Sequence, residues 1–254
     1  MNHHLCKNCQ HTFEGNFCSN CGQKTNTKRL DWNYIFDELK YTFLHINGGL
    51  LFTCKQLLTR PGDMVKEFID GKRVKHYKPI LLVFVLAGIS TLMMHYNGDL
   101  LVFEKMDVSN KKSVFSPKDL IEFITKYNTY IQLISIPIIS FCTWLAFKKW
   151  GYNYIENIII NSFMISQMLL IGILLTPIKY LCINSDVYVL VNTVLGLIAY
   201  GFAIWLYLKL YKDKDLGIII LRMLLTGVLF CVFFIIVVIL IVVIGFMTGY
   251  LHKN

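Results

Sequence analysis

The feature that most constrains this chain is the spacing of its charges. Five stretches, Pro79 to Gly98, Tyr127 to Phe147, Asn157 to Ile178, Val187 to Leu208 and Met223 to Leu251, contain no Asp, Glu, Lys or Arg. Each reaches the ~20 residues that cross a hydrocarbon core about 30 Å thick at ~1.5 Å rise per residue. Buried helices of a large soluble protein would be equally apolar, but five windows joined by short polar loops leave no chain for a soluble shell. With 55% of its residues hydrophobic, the chain has more apolar surface than a core in water can enclose. The expected fold is an all-α integral membrane helical bundle of about five transmembrane helices, at approximately 79–98, 127–147, 157–178, 187–208 and 223–248. The last window contains the β-branched and aromatic run Phe230 to Val243, which in water would suggest a buried strand. In lipid the backbone must satisfy its own polar groups, so the run reads as a long, tilted helix.

Cationic residues gather before the first window (Lys66, Lys72, Arg73, Lys75, Lys78), after the second (Lys148, Lys149) and after the fourth (Lys209, Lys212, Lys214, Arg222). By the positive-inside rule these segments are cytoplasmic. The alternate segments are poorer or balanced: Asp99 to Lys126 mixes five lysines with five acids, Lys179 faces Asp186, and the C-terminus offers His252 and Lys253. The expected topology places the N-terminus in the cytoplasm and the C-terminus outside. The net charge of +9 is then mostly a topology signal, and a nucleic-acid partner is not needed to explain it. Met1 to Gln10 has cysteines and histidines where a secretory signal would have an apolar core, so the first span is expected to act as its own insertion signal.

The strongest motif lies ahead of the spans. Two Cys-x-x-Cys pairs, Cys6 with Cys9 and Cys18 with Cys21, are separated by eight residues, and Gly22 follows the last. Two thiolates three positions apart on a tight turn can face one tetrahedral metal, with turn amides donating to the sulfurs. Four thiolates close the shell around a structural Zn2+ with no open position for catalysis. Gly22 suits the left-handed geometry such a knuckle needs. A reducing cytosol disfavours disulfides, and about 25 residues cannot supply the βαβ scaffold of a thioredoxin-like redox pair. Iron in a rubredoxin-like site is the chemical alternative. Phe13 and Phe17 are the only candidates for an apolar core, so the module should require its metal to fold. His3, His4 and His11 read as solvated side chains, and Cys54, Cys142, Cys182 and Cys231 as small buried hydrophobes.

Between module and spans, Asp31 to Arg73 reads as amphipathic helices. Trp32, Ile35, Phe36, Leu39, Phe43 and Leu44 recur at three- and four-residue intervals behind Asp31 as N-cap, and Gly48 and Gly49 end that helix. A second helix runs through Leu50 to Leu58 and stops before Pro61; a third occupies Gly62 to Asp70 and ends at Gly71. These helices suit either the headgroup boundary or packing against the bundle. Lys72, Arg73, Lys75 and Lys78 would meet anionic headgroups at roughly 1 kcal/mol per charge, or serve only to set topology. The resulting organisation is a zinc-ribbon module at 1–27, a juxtamembrane helical segment at 28–78 and a bundle at 79–254.

The residues Phe17-Cys18-Ser19-Asn20-Cys21-Gly22-Gln23-Lys24, followed by Arg60-Pro61-Gly62, Gly71-Lys72-Arg73 and Tyr77-Lys78-Pro79, resemble a bacterial family of zinc-ribbon, multi-pass membrane proteins catalogued as a domain of unknown function. The first phrase is common to many zinc ribbons, so the later three carry the specificity. The resemblance implies a cysteine ribbon, a helical segment ending in a Gly-Lys-Arg turn, and several spans in the inner membrane. No activity comes with it.

Inside the spans there is no acid or base, and no paired carboxylate, Gly-rich phosphate loop, nucleophile elbow or His-Glu metalloprotease motif occurs in the chain. Ion-coupled transport through buried carboxylates and intramembrane hydrolysis are disfavoured. The candidate histidines His45, His76 and His95 are scattered, the last two at opposite ends of the first span. Uncharged polar residues do occur: Gln132, Ser135 and Ser140 in the second span, Asn161, Ser162, Ser166 and Gln167 in the third, Asn192 and Thr193 in the fourth. They cement helix contacts or line a polar cavity, and cement is the commoner use. Pro137 is a candidate kink, and Gly196 with Gly201 a candidate close-packing face. The functional expectation is therefore a non-enzymatic, membrane-anchored module that recruits a protein partner. The alternative is a small permease, or subunit of one, for a lipid or neutral solute.

Overall fold

The computed structural model describes residues 3–25, 27, 29–41, 49–96, 123, 126–182 and 187–247. Expectations for Phe43, Leu44, His45 and Gly48, for most of the loop from Asp99 to Lys126, for Asp186, and for His252 and Lys253 lie outside the described residues.

After a two-stranded hairpin, β1 (His4–Leu5) and β2 (Thr12–Phe13), and an isolated bridge between Phe17 and Lys24, the regular structure among the described residues is helical. Three short helices follow, α1 (Trp32–Tyr41), α2 (Gly49–Thr59) and α3 (Pro61–Ile69). Asp31 caps α1 by accepting the Tyr34 N–H at 3.0 Å. Pro61 occupies the first turn of α3, where its missing N–H costs nothing. The α3 terminus is a Schellman turn: Lys72 N–H donates to Glu67 O at 2.9 Å and Gly71 N–H to Phe68 O at 3.2 Å, with Gly71 at φ +110°.

The apolar helices are α4 (Pro79–Tyr96), α5 (Asn128–Phe147), α6 (Tyr154–Cys182), α7 (Tyr188–Leu210) and α8 (Leu216–Met247). Among the described residues four helices are long and apolar enough to cross a membrane, the segments 128–150, 154–182, 188–210 and 216–237, and α4 is a shorter apolar helix. The Phe230 to Val243 run is helical, as its lipid setting requires. Two starts differ from the charge-free windows. α6 begins at Tyr154 because Asn153 and Glu156 form a capping box: Asn153 N–H donates to Glu156 Oε2 and Glu156 N–H to Asn153 Oδ1, both at 2.7 Å. α8 begins at Leu216, so Arg222 lies within it; its guanidinium donates to Ala146 O and sits 4.5 Å from the Trp150 ring centre.

The bundle is built around α6. It packs against α4, α5 and α7, and α2 and α3 close the remaining sides of its first half. Of its most apolar stretch 67% is buried, against 6% for α8, which touches the bundle through α5 and α7 and otherwise faces outward. α2 and α3 use their apolar faces for packing, where Leu57, Met64, Val65 and Phe68 join one core with Leu82, Ile159 and Phe163, whereas α1 buries Ile35 and leaves Trp32 and Phe36 exposed. Glycine marks the tightest approach. A Cβ on Gly62 would overlap the backbone of Lys209 and Leu210, so α3 lies directly on the end of α7.

Polar groups within the spans tie helices together. The Asn161 amide donates to Thr143 Oγ1 at 2.9 Å, Ser140 Oγ at 3.2 Å and Asn157 O at 2.9 Å, and its oxygen accepts the Tyr207 hydroxyl at 2.8 Å, linking α5, α6 and α7. Gln167 Nε2 donates to Leu57 O at 2.9 Å, satisfying a carbonyl near the end of α2. Ser162 and Thr193 instead return their hydroxyls to the carbonyl four residues back. Pro137 lies inside α5, and its carbonyl accepts the Tyr154 hydroxyl at 3.2 Å. A Cβ on Gly196 or Gly201 would meet nothing within 4 Å, so neither supports close packing among the described residues.

Candidate metal centre and its dock on the bundle

The cysteine module consists of two copies of one turn. In the first, Cys6 N–H donates to His11 O at 3.0 Å and Gln10 N–H to Cys6 O at 2.9 Å; in the second, Cys18 N–H donates to Gln23 O and Gly22 N–H to Cys18 O, both at 2.8 Å. The same backbone hydrogen bonds recur twelve residues apart, and each turn places its fourth residue after the first cysteine in the left-handed region. That residue is Gly22 at φ 74° in the second copy and Gln10 at φ 60° in the first. The sequence pattern marks the glycine; the strain at Gln10 is visible only in the backbone.

These turns bring Cys6, Cys9, Cys18 and Cys21 together, their Sγ atoms all within 4.8 Å of one another. Cys6 lies 3.5 Å from Cys21 and Cys9 3.6 Å from Cys18, and all four are free thiols. Four sulfurs about 2.3 Å from a central zinc would be about 3.8 Å apart. The donor set therefore fits a tetrahedral metal ion and is far too open for disulfides. Among the described residues no histidine joins it. His3 pairs with Glu14 at 3.3 Å, and the His4 ring packs 6.2 Å from Phe13. Phe13 is buried with Cys6 and Cys18. Phe17 departs from expectation: it is 62% exposed, as is its counterpart Leu5 at 70%. Each immediately precedes an inward-facing cysteine, and neighbouring residues in an extended segment point to opposite sides. The remaining cysteines divide likewise, Cys142 buried, Cys54 and Cys182 half-buried, Cys231 exposed.

The module is docked rather than loosely tethered. Arg29 clasps Glu156 with two bonds, Nε to Oε1 at 2.7 Å and Nη2 to Oε2 at 2.8 Å, and Nη2 also donates to Gly151 O at 2.8 Å. The Glu156 side chain is only 4% exposed, and a charge so buried is stable only when paired. The paired carboxylate in turn raises the pKa of Arg29. Next to it, Leu30 is buried in the main core and its carbonyl accepts Asn153 Nδ2 at 3.2 Å. Lys7, inside the first knuckle, donates to Thr27 O at 2.9 Å, and a Cβ on Gly71 would stand 3.1 Å from Lys7 Cδ. Arg29 and Glu156 carried no expectation from the sequence. The signal available in the sequence is the Asn153-x-x-Glu156 capping pattern, which marks a helix start but not the partner of the carboxylate.

The basic run is split by the fold. Arg73 turns inward, its guanidinium 5.2 Å from the Tyr34 ring centre and 5.6 Å from that of Phe68, with Nε donating to Phe68 O at 3.1 Å. Lys72 pairs with Glu67 at 3.6 Å, and Lys75 is exposed. His76 packs between Phe52 and Phe68 at 5.3 and 6.0 Å, and burial pulls its pKa down to about 4. Around the α5–α6 turn, Phe147, Trp150, Tyr152, Tyr207 and Tyr211 form an aromatic cluster; Phe147 and Tyr211 stack at 4.9 Å. The same turn carries Gly151, a Glu156 neighbour through Arg29, so one aromatic knot supports both the spans and the dock.

Residues 47–91 match a family model described as Protein of unknown function (DUF3667). The match covers α2, α3 and most of α4, and so includes Gly62, the Gly71-Lys72-Arg73 turn and Tyr77-Lys78-Pro79. No curated protein and no solved structure matches the chain significantly.

Proposed function

We propose that the chain is a membrane-anchored recruitment module. In this reading residues 1–27 are a zinc ribbon and residues 28–78 a helical collar. Together they form a platform on the cytoplasmic ends of the 79–254 bundle in the bacterial inner membrane, which captures a protein partner. The supporting observation is the combination of a closed four-thiolate cluster with a rigid dock, Arg29 on Glu156. A closed shell leaves no coordination site for chemistry, whereas a fixed module presents a surface at a set position above the bilayer. That surface includes Leu5 and Phe17, equivalent residues of the two knuckles, both outward. Zinc is the assigned metal because four thiolates in a reducing compartment favour it; iron is the alternative. Lys75, the exposed lysine of the basic run, would add contact with anionic headgroups.

The test is affinity purification of the full chain in mild detergent, alongside the Cys18→Ser, Cys21→Ser variant, with bound metal and copurifying proteins quantified together. Loss of metal and of a specific partner, with bundle helicity intact, supports recruitment. Loss of metal with every partner retained removes it. A small permease for a lipid or neutral solute is the second reading, favoured by Ser166 Oγ and Gln167 Oε1, which are buried with no partner among the described residues. Flux in reconstituted vesicles that Gln167→Leu abolishes would replace recruitment with that reading.

A further inference from the structure

We propose that the cleft between the cysteine module and the bundle is a binding site for a phosphate-bearing ligand. The cleft holds about 520 Å³ and is lined by Lys7, Thr27, Arg29, Arg73, Trp150 and Glu156, among others. Its cations come from three separate segments: the first knuckle, the linker behind the module and the turn after α3. Glu156 is already engaged by Arg29 and by the Asn153 N–H, and Asp70 is the one other acid among the described residues of the lining. The cleft is therefore net positive.

It also holds more donors than the protein uses. The Lys7 ammonium has three hydrogens and gives one to Thr27 O. Arg29 spends Nε and Nη2 on Glu156 and Gly151, and its Nη1 has no partner among the described residues. Thr27 Oγ1 is buried without a partner among them. An acceptor-only, multiply charged group answers that set, and phosphate oxygens accept from ammonium and guanidinium alike. The volume falls within the ~300–1,000 Å³ of ordinary ligand sites and exceeds what a bare phosphate needs, so there is room for the group it is attached to. The cleft opens beside Trp150 and Tyr152 in the turn joining two apolar helices, and the ends of membrane-spanning helices are where headgroups are met. Phospholipid and a soluble phosphorylated compound are therefore the two sources of the same chemistry. A ligand there touches module and bundle together and would stabilise the dock by mass action.

The test uses the full chain with its metal retained, purified free of phospholipid in non-ionic detergent, and the variants Lys7→Gln and Lys55→Gln. Lys7 is exposed and Lys55 is an exposed residue of α2 outside the cleft. One arm titrates inorganic pyrophosphate by calorimetry; the other counts phosphatidylglycerol against phosphatidylcholine retained per chain by native mass spectrometry. The expected result is saturable binding in one arm, weakened about tenfold by Lys7→Gln, as loss of one charge-assisted bond implies, and untouched by Lys55→Gln. Pyrophosphate binding assigns a soluble ligand, and selective phosphatidylglycerol retention assigns a headgroup. Should Lys7→Gln lose metal, Thr27→Val carries the same comparison. Absence of saturable binding in both arms, or equal weakening by both lysine variants, overturns the proposal.

Discussion

Arg29 and Glu156, 127 positions apart in the chain, meet in a two-bond ion pair at 2.7 and 2.8 Å that fastens the cysteine module to the first turn of α6. The partners are unequal: the arginine side chain is 61% exposed and the glutamate 4%. Removing the arginine strands a buried carboxylate, while removing the glutamate leaves a solvated guanidinium. We expect Arg29→Gln to cost about 2 kcal/mol, less than a wholly buried pair would because water reaches the arginine side. Glu156→Gln should cost less, and adding it to Arg29→Gln should recover part of the loss, because no charge is then left buried. Thermal unfolding of the four proteins in detergent measures this. Additive losses would mean that the pair is not a latch.

The contact of α3 with α7 depends on Gly62. Helix propensity alone favours alanine over glycine by about 1 kcal/mol, but a Cβ there would overlap the Lys209–Leu210 backbone. Packing should win, with Gly62→Ala lowering stability by about 1–3 kcal/mol. Gly172→Ala, where a Cβ meets nothing within 4 Å, should be neutral or stabilising. A melting comparison of the two variants decides the sign.

Gln10 occupies the left-handed position that Gly22 fills in the twin knuckle. Gln10→Gly should therefore tighten the metal-loaded module by about 1 kcal/mol, the cost of a left-handed non-glycine residue. Resistance of bound metal to a competing chelator reports the change. Gly22→Ala should shift it the opposite way.

Burial holds the His76 pKa down to about 4, with the Glu67 charge opposing and that of Arg60 assisting. An unfolded histidine titrates near 6.5, so the unfolded chain takes up the proton first. Stability from this group is complete above pH ~6.5 and is lost as pH falls towards about 4. Melting temperatures at pH 7.5 and 5.0 should differ for the native chain and converge in His76→Phe, which keeps the aromatic contacts.

Asn161 binds α5, α6 and α7 in one hydrogen-bonded node. Asn161→Leu leaves the Tyr207 hydroxyl buried without its acceptor, and roughly 1–2 kcal/mol should be lost. Tyr207→Phe in that background should recover part of it. Equal melting of the native chain and Asn161→Leu would return the residue to the cavity-lining reading.

What the sequence determined by itself was whatever a residue's own chemistry dictates. Charge-free windows long enough to cross lipid announce the apolar helices, because the transfer cost of a charge is paid wherever the helix ends up. Cys6, Cys9, Cys18 and Cys21 announce a four-thiolate cluster, because thiolates at that spacing have few other uses. Asp31, Pro61 and Gly71 mark helix ends through local backbone geometry. Tertiary structure decided everything that depends on which surface meets which. α6 and α8 are both long and strongly apolar, yet one is the hub of the bundle and the other lies at its edge. Hydropathy cannot separate them, since lipid tails and a protein interior are equally apolar. The inward turn of Arg73, the exposure of Phe17 and the meeting of Arg29 with Glu156 belong to the same class. Each follows from the placement of a distant segment, and no local pattern encodes the neighbour that a side chain will find.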